Sequence, residues 1–216
     1  MRKTLTIEIP TSWADVTLEK YLALQSDLEN YKDDEEAQTA LMLYHLCGLD
    51  AAYIKSLSTE SYHKIKEKLN GFISPEGIDL TTFITIDGVE YGFEPNLSKI
   101  AYGAYADISQ YDTIAIDKNW AKTMSILYRP VQRKQYGKYE IAPYDGVLDE
   151  ESFLKVTMDV HFGAWFFFVR LQMDLLKDTL NSLKEMELPH NIKSILEKSG
   201  EVIQQSLSLP TAISKR

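Results

Sequence analysis

The chain has 216 residues, of which 44% are hydrophobic and 25% are charged, and these values exclude disorder over the whole chain. Its 32 acidic residues outnumber the 23 basic ones, giving a net charge of −9, which speaks against nucleic-acid binding because Lys and Arg supply most of that affinity. The single cysteine, Cys47, excludes an intramolecular disulfide and fits a reducing compartment.

The N-terminal segment MRKTLTIEIP has two basic residues but no long apolar stretch, so we expect no signal peptide. The longest apolar run, Phe162 to Val169, is closed by Arg170 and is far shorter than the roughly 18–20 residues of a membrane span. We therefore expect a protein that is kept inside a cell and has no membrane partner.

The first part of the chain predicts one strand and four helices. Alternating apolar residues in Thr4–Ile9 predict the strand, and Thr17 is the predicted N-cap of a helix from Leu18 to Leu28. The acidic run 33–36 favours the start of a second helix, because carboxylates are stabilised at a helix N-terminus, and Gly48 is its predicted stop after Cys47. Two further helices are predicted, Asp50 to Leu57 and Ser58 to Leu69.

The middle of the chain predicts two β-hairpins. Asp87-Gly88 lies between two alternating apolar runs, and this dipeptide favours a tight hairpin turn because both residues tolerate positive φ. A second hairpin, Val131 to Ile141, is predicted to turn at Tyr136-Gly137. Two helices are predicted between the hairpins, Ser98 to Ile108 and Lys118 to Tyr128, with Pro130 as the stop of the second.

The last third predicts a long helix, Val160 to Met186, whose N-terminal half is apolar on every face and therefore buried on all sides. A short helix, Asn191 to Lys198, follows it. The predicted fold is α+β and mainly helical, with about seven to eight helices, an N-terminal strand, two β-hairpins and one long buried C-terminal helix. We expect a single compact domain over residues 1–198 and a polar tail, residues 199–216, that is ordered by a partner.

The densest basic stretch comprises Arg129, Arg133, Lys134 and Lys138. We interpret it first as a solvated hairpin edge, in which basic side chains discourage unwanted strand pairing. Contact with an acidic protein is the second interpretation, and nucleic-acid contact is the third. No direct nucleic-acid readout is expected.

No residue pattern indicates catalysis or metal binding. His45 and Cys47 are two residues apart on a predicted helix and so point to different faces, which argues against shared metal ligation. The sequence has no G-x-S-x-G nucleophile motif and no phosphate-binding glycine loop. We therefore predict no catalytic residue, no cofactor, no metal and no enzymatic activity.

Aromatic residues are abundant, with 13 Tyr, 8 Phe and 3 Trp. Tyr and Trp favour interfaces because they combine an apolar body with a polar tip. Four of them concentrate in one region: Tyr102, Tyr105, Tyr111 and Trp120. We interpret this concentration as core first and as an interface second.

Three segments resemble one group of bacteriophage proteins: IEIPTSWADVTLEKY from Ile7 to Tyr21, DGVEYGF from Asp87 to Phe93, and ILYRP from Ile126 to Pro130. The chain up to about residue 170 resembles small head–tail morphogenesis proteins of tailed phages, including crAss-like phages of gut Bacteroidales. These proteins are often labelled tail assembly chaperone-like. On this resemblance Trp13 packs between the first strand and the first helix.

The resemblance implies a non-enzymatic virion protein, such as a ring or adaptor at the portal–tail neck. Its partners would be copies of itself and portal, neck and tail proteins, in the host cytoplasm during assembly and then in the virion. One alternative is a tail assembly chaperone that is absent from the mature virion, and another is a ligand-binding or regulatory domain. The candidate protein-contact residues are Tyr91, Phe93, Arg129, Leu207, Leu209 and Ile213.

Overall fold

A computed structural model of the chain describes residues 7–71, 77–111, 113 and 115–185. The chain divides into two compact units, Met1–Phe168 and Val169–Arg216, with the boundary inside the last described helix. The described part is a mainly helical α+β fold, as predicted. The predicted helix over 191–198 and the tail over 199–216 lie outside the described residues, so the domain boundary at residue 198 stays a prediction.

Four helices precede the sheet: α1 (Leu18–Leu28), α2 (Glu35–Cys47), α3 (Ala51–Ser56) and α4 (Thr59–Asn70). The predicted cap of α1 is confirmed, because the side chain of Thr17 accepts a hydrogen bond from the Lys20 N–H. The acidic run predicted to open α2 supplies its cap, since the Asp34 side chain accepts a hydrogen bond from the Ala37 N–H. Gly48 ends α2 with φ of 66°, a left-handed conformation that glycine adopts without steric cost.

The four strands form a single antiparallel sheet in the order β1-β2-β3-β4. The strands are β1 (Phe83–Ile86), β2 (Val89–Phe93), β3 (Tyr128–Gln135) and β4 (Lys138–Ile141). Both predicted hairpin turns are confirmed, and all four central residues, Asp87-Gly88 and Tyr136-Gly137, have positive φ. Pairing of β2 with β3, from Tyr91 opposite Pro130 to Phe93 opposite Tyr128, joins the two hairpins.

The remaining helices are α5 (Tyr102–Ile108), α6 (Trp120–Leu127), α7 (Glu150–Leu154) and α8 (Met158–Glu185). The prediction that Ser98 caps a helix to Ile108 is wrong, because Asn96 caps a separate 3-10 turn over Leu97–Lys99 and α5 begins later. The helix predicted over Lys118–Tyr128 is observed as α6, which ends at Leu127, three residues before its predicted stop at Pro130. Pro130 lies inside β3, and the ladder with β2 ends there because proline has no N–H to donate.

The core of the first unit is centred on α6, where seven of the eight residues are buried. The N-terminal part is fastened to the α7–α8 junction by backbone hydrogen bonds, from the Leu18 N–H to the Val156 carbonyl at 3.0 Å and from the Met158 N–H to the Val16 carbonyl at 2.7 Å. These bonds place α1 beside the start of α8.

Trp13 is buried with 8% of its surface exposed. Its ring packs edge-to-face against Tyr21 of α1 at 5.9 Å and against Phe162 of α8 at 5.0 Å. The partner helix of Trp13 therefore includes α8, in addition to the first helix that the resemblance implied. Of the predicted strand Thr4–Ile9, only residues 7–9 are described, and they form no strand.

The first part of α8 is less buried than its composition predicts. Val160 to Ala164 and Phe168 are buried, whereas Trp165, Phe166 and Phe167 are only half-buried. The prediction of a helix buried on all sides is therefore corrected. The reason is positional: α6 occupies the centre of the core, so α8 needs to bury only part of its circumference against the other elements.

Candidate functional site

The predicted contact residues of β2 belong largely to the interior of the chain. Phe93 is only 3% exposed, and its ring lies against the rings of Tyr128 and Phe167 at centroid distances of 5.2 and 5.4 Å. Tyr91 is half-buried, with Phe153 of α7 at 6.0 Å from its ring. Both side chains are thus used in packing. Three other predicted contacts lie outside the described residues: Leu207, Leu209 and Ile213.

Arg129 is also used internally. Its Nη2 donates to the Glu94 carboxylate, and the two side chains are only 11% and 10% exposed. Its Nε and Nη1 have no hydrogen-bond partner within the described residues. An arginine that is paired and buried in this way does not offer its guanidinium to a partner from the surface of the chain, contrary to its choice as a candidate protein contact.

The tyrosine-rich region separates into a buried and an exposed part. Trp120 is fully buried and Tyr111 is half-buried, with Lys122 Nζ 5.9 Å from the centre of the Tyr111 ring. Tyr102 and Tyr105, in contrast, are 84% and 60% exposed. The core interpretation therefore holds for Trp120, whereas an interface at the exposed Tyr102 and Tyr105 stays a prediction.

The two exposed rings share one face of α5, because residues three apart on a helix are neighbours. We call Tyr102 and Tyr105 the tyrosine surface. The opposite side of the helix is fixed to the fold by Ala104, which is fully buried. Tyr144 adds a second anchor, since its hydroxyl donates to the Asp107 carboxylate at the end of α5.

Burial and the Asp107 carboxylate together raise the pKa of Tyr144 to about 12. The phenol is therefore protonated at neutral pH and can act as the donor in this hydrogen bond. The tyrosine surface therefore lies on a helix whose inner side is buried and whose C-terminal end is held by a hydrogen bond.

The described residues contain no group of three His, Cys, Asp or Glu side chains arranged to hold a metal ion. His45 Nε2 lies 2.7 Å from an oxygen of Asp27, an ion-pair geometry that links α2 to α1. The Cys47 thiol is half-buried, and burial raises its pKa, which disfavours the reactive thiolate.

Comparison with known proteins gives no relative: no family model, no curated protein and no solved structure matches the chain. Within the described residues, none of the helices combines the length and the apolar composition that crossing a bilayer requires. The exposed aromatic residues of α5 are therefore the candidate functional site.

Proposed function

We propose that this chain is a non-enzymatic component of a tailed-phage particle, a ring or adaptor at the portal–tail neck that works by protein–protein contact. The observation that carries the proposal is the tyrosine surface of α5, with Tyr102 and Tyr105 exposed to 84% and 60%. The resemblance of three segments to phage head–tail morphogenesis proteins supplies the biological setting.

The tyrosine surface has the chemistry of an interaction hot spot. Tyr is enriched among residues that dominate binding energy, because its ring buries a large area with few rotatable bonds while its hydroxyl keeps a hydrogen bond. Because α5 is anchored by Ala104 and by the Tyr144–Asp107 hydrogen bond, little conformational entropy is lost when a partner covers these rings. Candidate contacts Phe93 and Arg129 act beneath the surface in this account, as core residues.

The test is incorporation of a Tyr102→Ser/Tyr105→Ser variant into phage particles. Because both rings are exposed, the double change should leave the free energy of unfolding within about 1 kcal/mol of wild type. Loss of two hot-spot side chains should lower incorporation at least about tenfold. The readout is quantitative mass spectrometry of purified particles from cells that supply either version of the chain.

The matched control is Tyr31→Ser/Tyr53→Ser, which removes two rings that are 47% and 51% exposed elsewhere on the chain. We expect this control to enter particles as wild type does. Normal incorporation of the Tyr102/Tyr105 variant would show that the tyrosine surface is not the contact. Equal loss in both variants would show that no one face is specific.

A further inference from the structure

The hairpin of β3 and β4 extends beyond the rest of the sheet. Strand β2 pairs with β3 only as far as Pro130, so Val131 to Ile141 forms a two-stranded ribbon. All residues from 132 to 138 are exposed, and Tyr136 at the turn is 93% exposed. We call Arg133, Tyr136 and Lys138 the hairpin tip.

The base of this ribbon is fastened to the sheet. Lys134 Nζ lies 2.7 Å from a Glu90 carboxylate oxygen and 3.5 Å from the centre of the Phe83 ring. The Tyr139 hydroxyl donates to the Phe93 carbonyl at 2.6 Å. An isolated two-stranded hairpin is marginally stable in water, so these anchors explain how the tip can hold a defined shape before it meets a partner.

Tyr136 is an unfavourable choice for the fold itself. Its φ is 50°, in the left-handed region where Gly, Asn and Asp are preferred at this turn position, and a bulky residue there costs roughly 1–3 kcal/mol. Its ring also has almost no contact area within the chain, since it is 93% exposed. The tyrosine side chain therefore adds no packing energy to the fold, whereas contact with another molecule would bury its ring.

The charges beside Tyr136 indicate the kind of contact. The register places Gln135 opposite Lys138 and Arg133 opposite Glu140, so Arg133 and Lys138 share the face turned away from Lys134. Arg133 donates to Gln135, and Lys138 has no ion pair within the described residues. Two cations therefore flank one exposed aromatic ring, and Glu140, opposite Arg133, lies on the same face.

We propose that the hairpin tip docks onto the acidic surface of a second copy of this chain. Residues 129–138 contain no acidic residue, so all 32 Asp and Glu residues lie elsewhere and give every other copy a complementary charge. Nucleic acid fits less well, because the two cations of the tip would release few counterions from a phosphate backbone. The contact is heterologous, because the tip binds a different surface, and repeated contacts of this type form a ring when their rotation closes.

This inference deepens the proposed function, because it names the surface through which copies touch. The experiment is sedimentation velocity of the purified full chain over a wide concentration range at low and high salt. The wild type should associate reversibly, and salt should weaken the association because it screens surface charges. In Arg133→Glu/Lys138→Glu, the dissociation constant should rise at least about tenfold.

The control Lys55→Glu/Lys68→Glu makes the same change in net charge on α3 and α4, where both side chains are exposed, and should associate as wild type does. Tyr136→Ser tests the ring and should also weaken association. A wild type that stays monomeric, equal weakening by the control, or binding to duplex DNA that the tip variant abolishes would each overturn the proposal. None of these outcomes concerns the tyrosine surface, so the proposed function would stand or fall separately.

Discussion

The imidazole of His161 lies on α8 with no exposed surface, and burial lowers its pKa from 6.5 to about 4. The carbonyl groups of Phe153 and Val156 favour the charged form, but their effect is smaller than that of burial. At neutral pH the ring is therefore neutral inside the core. Its buried nitrogens make the fold sensitive to acid, because the unfolded chain takes up a proton more readily than the folded one.

The sign of this linkage is fixed by the lowered pKa. The stability due to neutral His161 is complete above about pH 6.5 and is lost as the pH falls towards about 4, which amounts to about 3 kcal/mol. His161→Leu should remove this component, so its free energy of unfolding should fall less steeply with acid than that of wild type. Urea unfolding of both proteins across this pH range measures the difference, and parallel curves would contradict the prediction.

The Arg129–Glu94 pair gives a second prediction at the residue scale. Arg129→Met leaves a carboxylate that is 10% exposed without its cation, and this should cost about 3–5 kcal/mol. Adding Glu94→Leu should recover much of the loss, because neither charge is then buried. Lys134→Met is the matched control at the more exposed Lys134–Glu90 pair and should cost less than about 1 kcal/mol. Denaturant midpoints of the four proteins measure these effects.

At the scale of elements, α8 approaches the segment before β1 closely at Gly163. A Cβ on Gly163 would overlap the Asp79 carbonyl oxygen. Gly163→Ala should therefore push this segment away and cost at least about 3 kcal/mol, at the top of the range for overpacking.

Gly103→Ala on α5 is the control for Gly163→Ala, because its Cβ would meet only the Tyr144 ring at 3.6 Å. There the higher helix propensity of alanine should stabilise the protein by roughly 0.5–1 kcal/mol. Thermal unfolding of the two variants should shift the midpoint in opposite directions. A shift in the same direction for both would mean that α8 does not approach Asp79 this closely.

Burial along α8 separates two of its phenylalanines. Phe168 is 8% exposed and lies near Phe93, so Phe168→Ala should cost about 3–5 kcal/mol. Phe166 is half-buried, and its ring contacts that of Trp165 at 4.8 Å. Phe166→Ala should therefore cost clearly less. Equal denaturant midpoints for the two variants would show that they share one environment.

The elements that the sequence predicts well are those fixed by nearby residues. Thr17, Asp34 and Gly48 delimit α1 and α2 through bonds within a few positions, and Asp87-Gly88 sets its own turn. The pairing of β2 with β3 does not follow from the sequence pattern, because the two strands are far apart in the sequence and two helices, α5 and α6, lie between them. The α7 helix was missed because it is only 5 residues long and carries too little periodicity.

The candidate site likewise depends on contacts between residues that are distant in the sequence. Residue type suggested Phe93 and Arg129 as contacts, but their burial depends on Phe167 and Glu94, which come from distant parts of the chain. The concentration of tyrosines did identify α5, although only the structure separates exposed Tyr102 from buried Trp120. Tyr136 carried a local signal, since an aromatic residue before glycine at a hairpin turn is unusual.

At the scale of the whole molecule, we propose a protein that works by binding other proteins. The first unit is a compact α+β unit that displays two distinct exposed features, the tyrosine surface on α5 and the hairpin tip between β3 and β4. We propose that the tyrosine surface binds a larger partner while the hairpin tip binds a neighbouring copy. We infer that copies of the free chain assemble into the phage particle and act there.

The measurement that tests this account most directly is the amount of this chain in purified phage particles, determined by quantitative mass spectrometry against the portal protein. A ring or adaptor at the neck should be present at a fixed ratio to the portal in every preparation, because closed symmetry sets its copy number. Absence from particles, together with presence in infected-cell lysates bound to tail proteins, would contradict the virion role and favour an assembly chaperone.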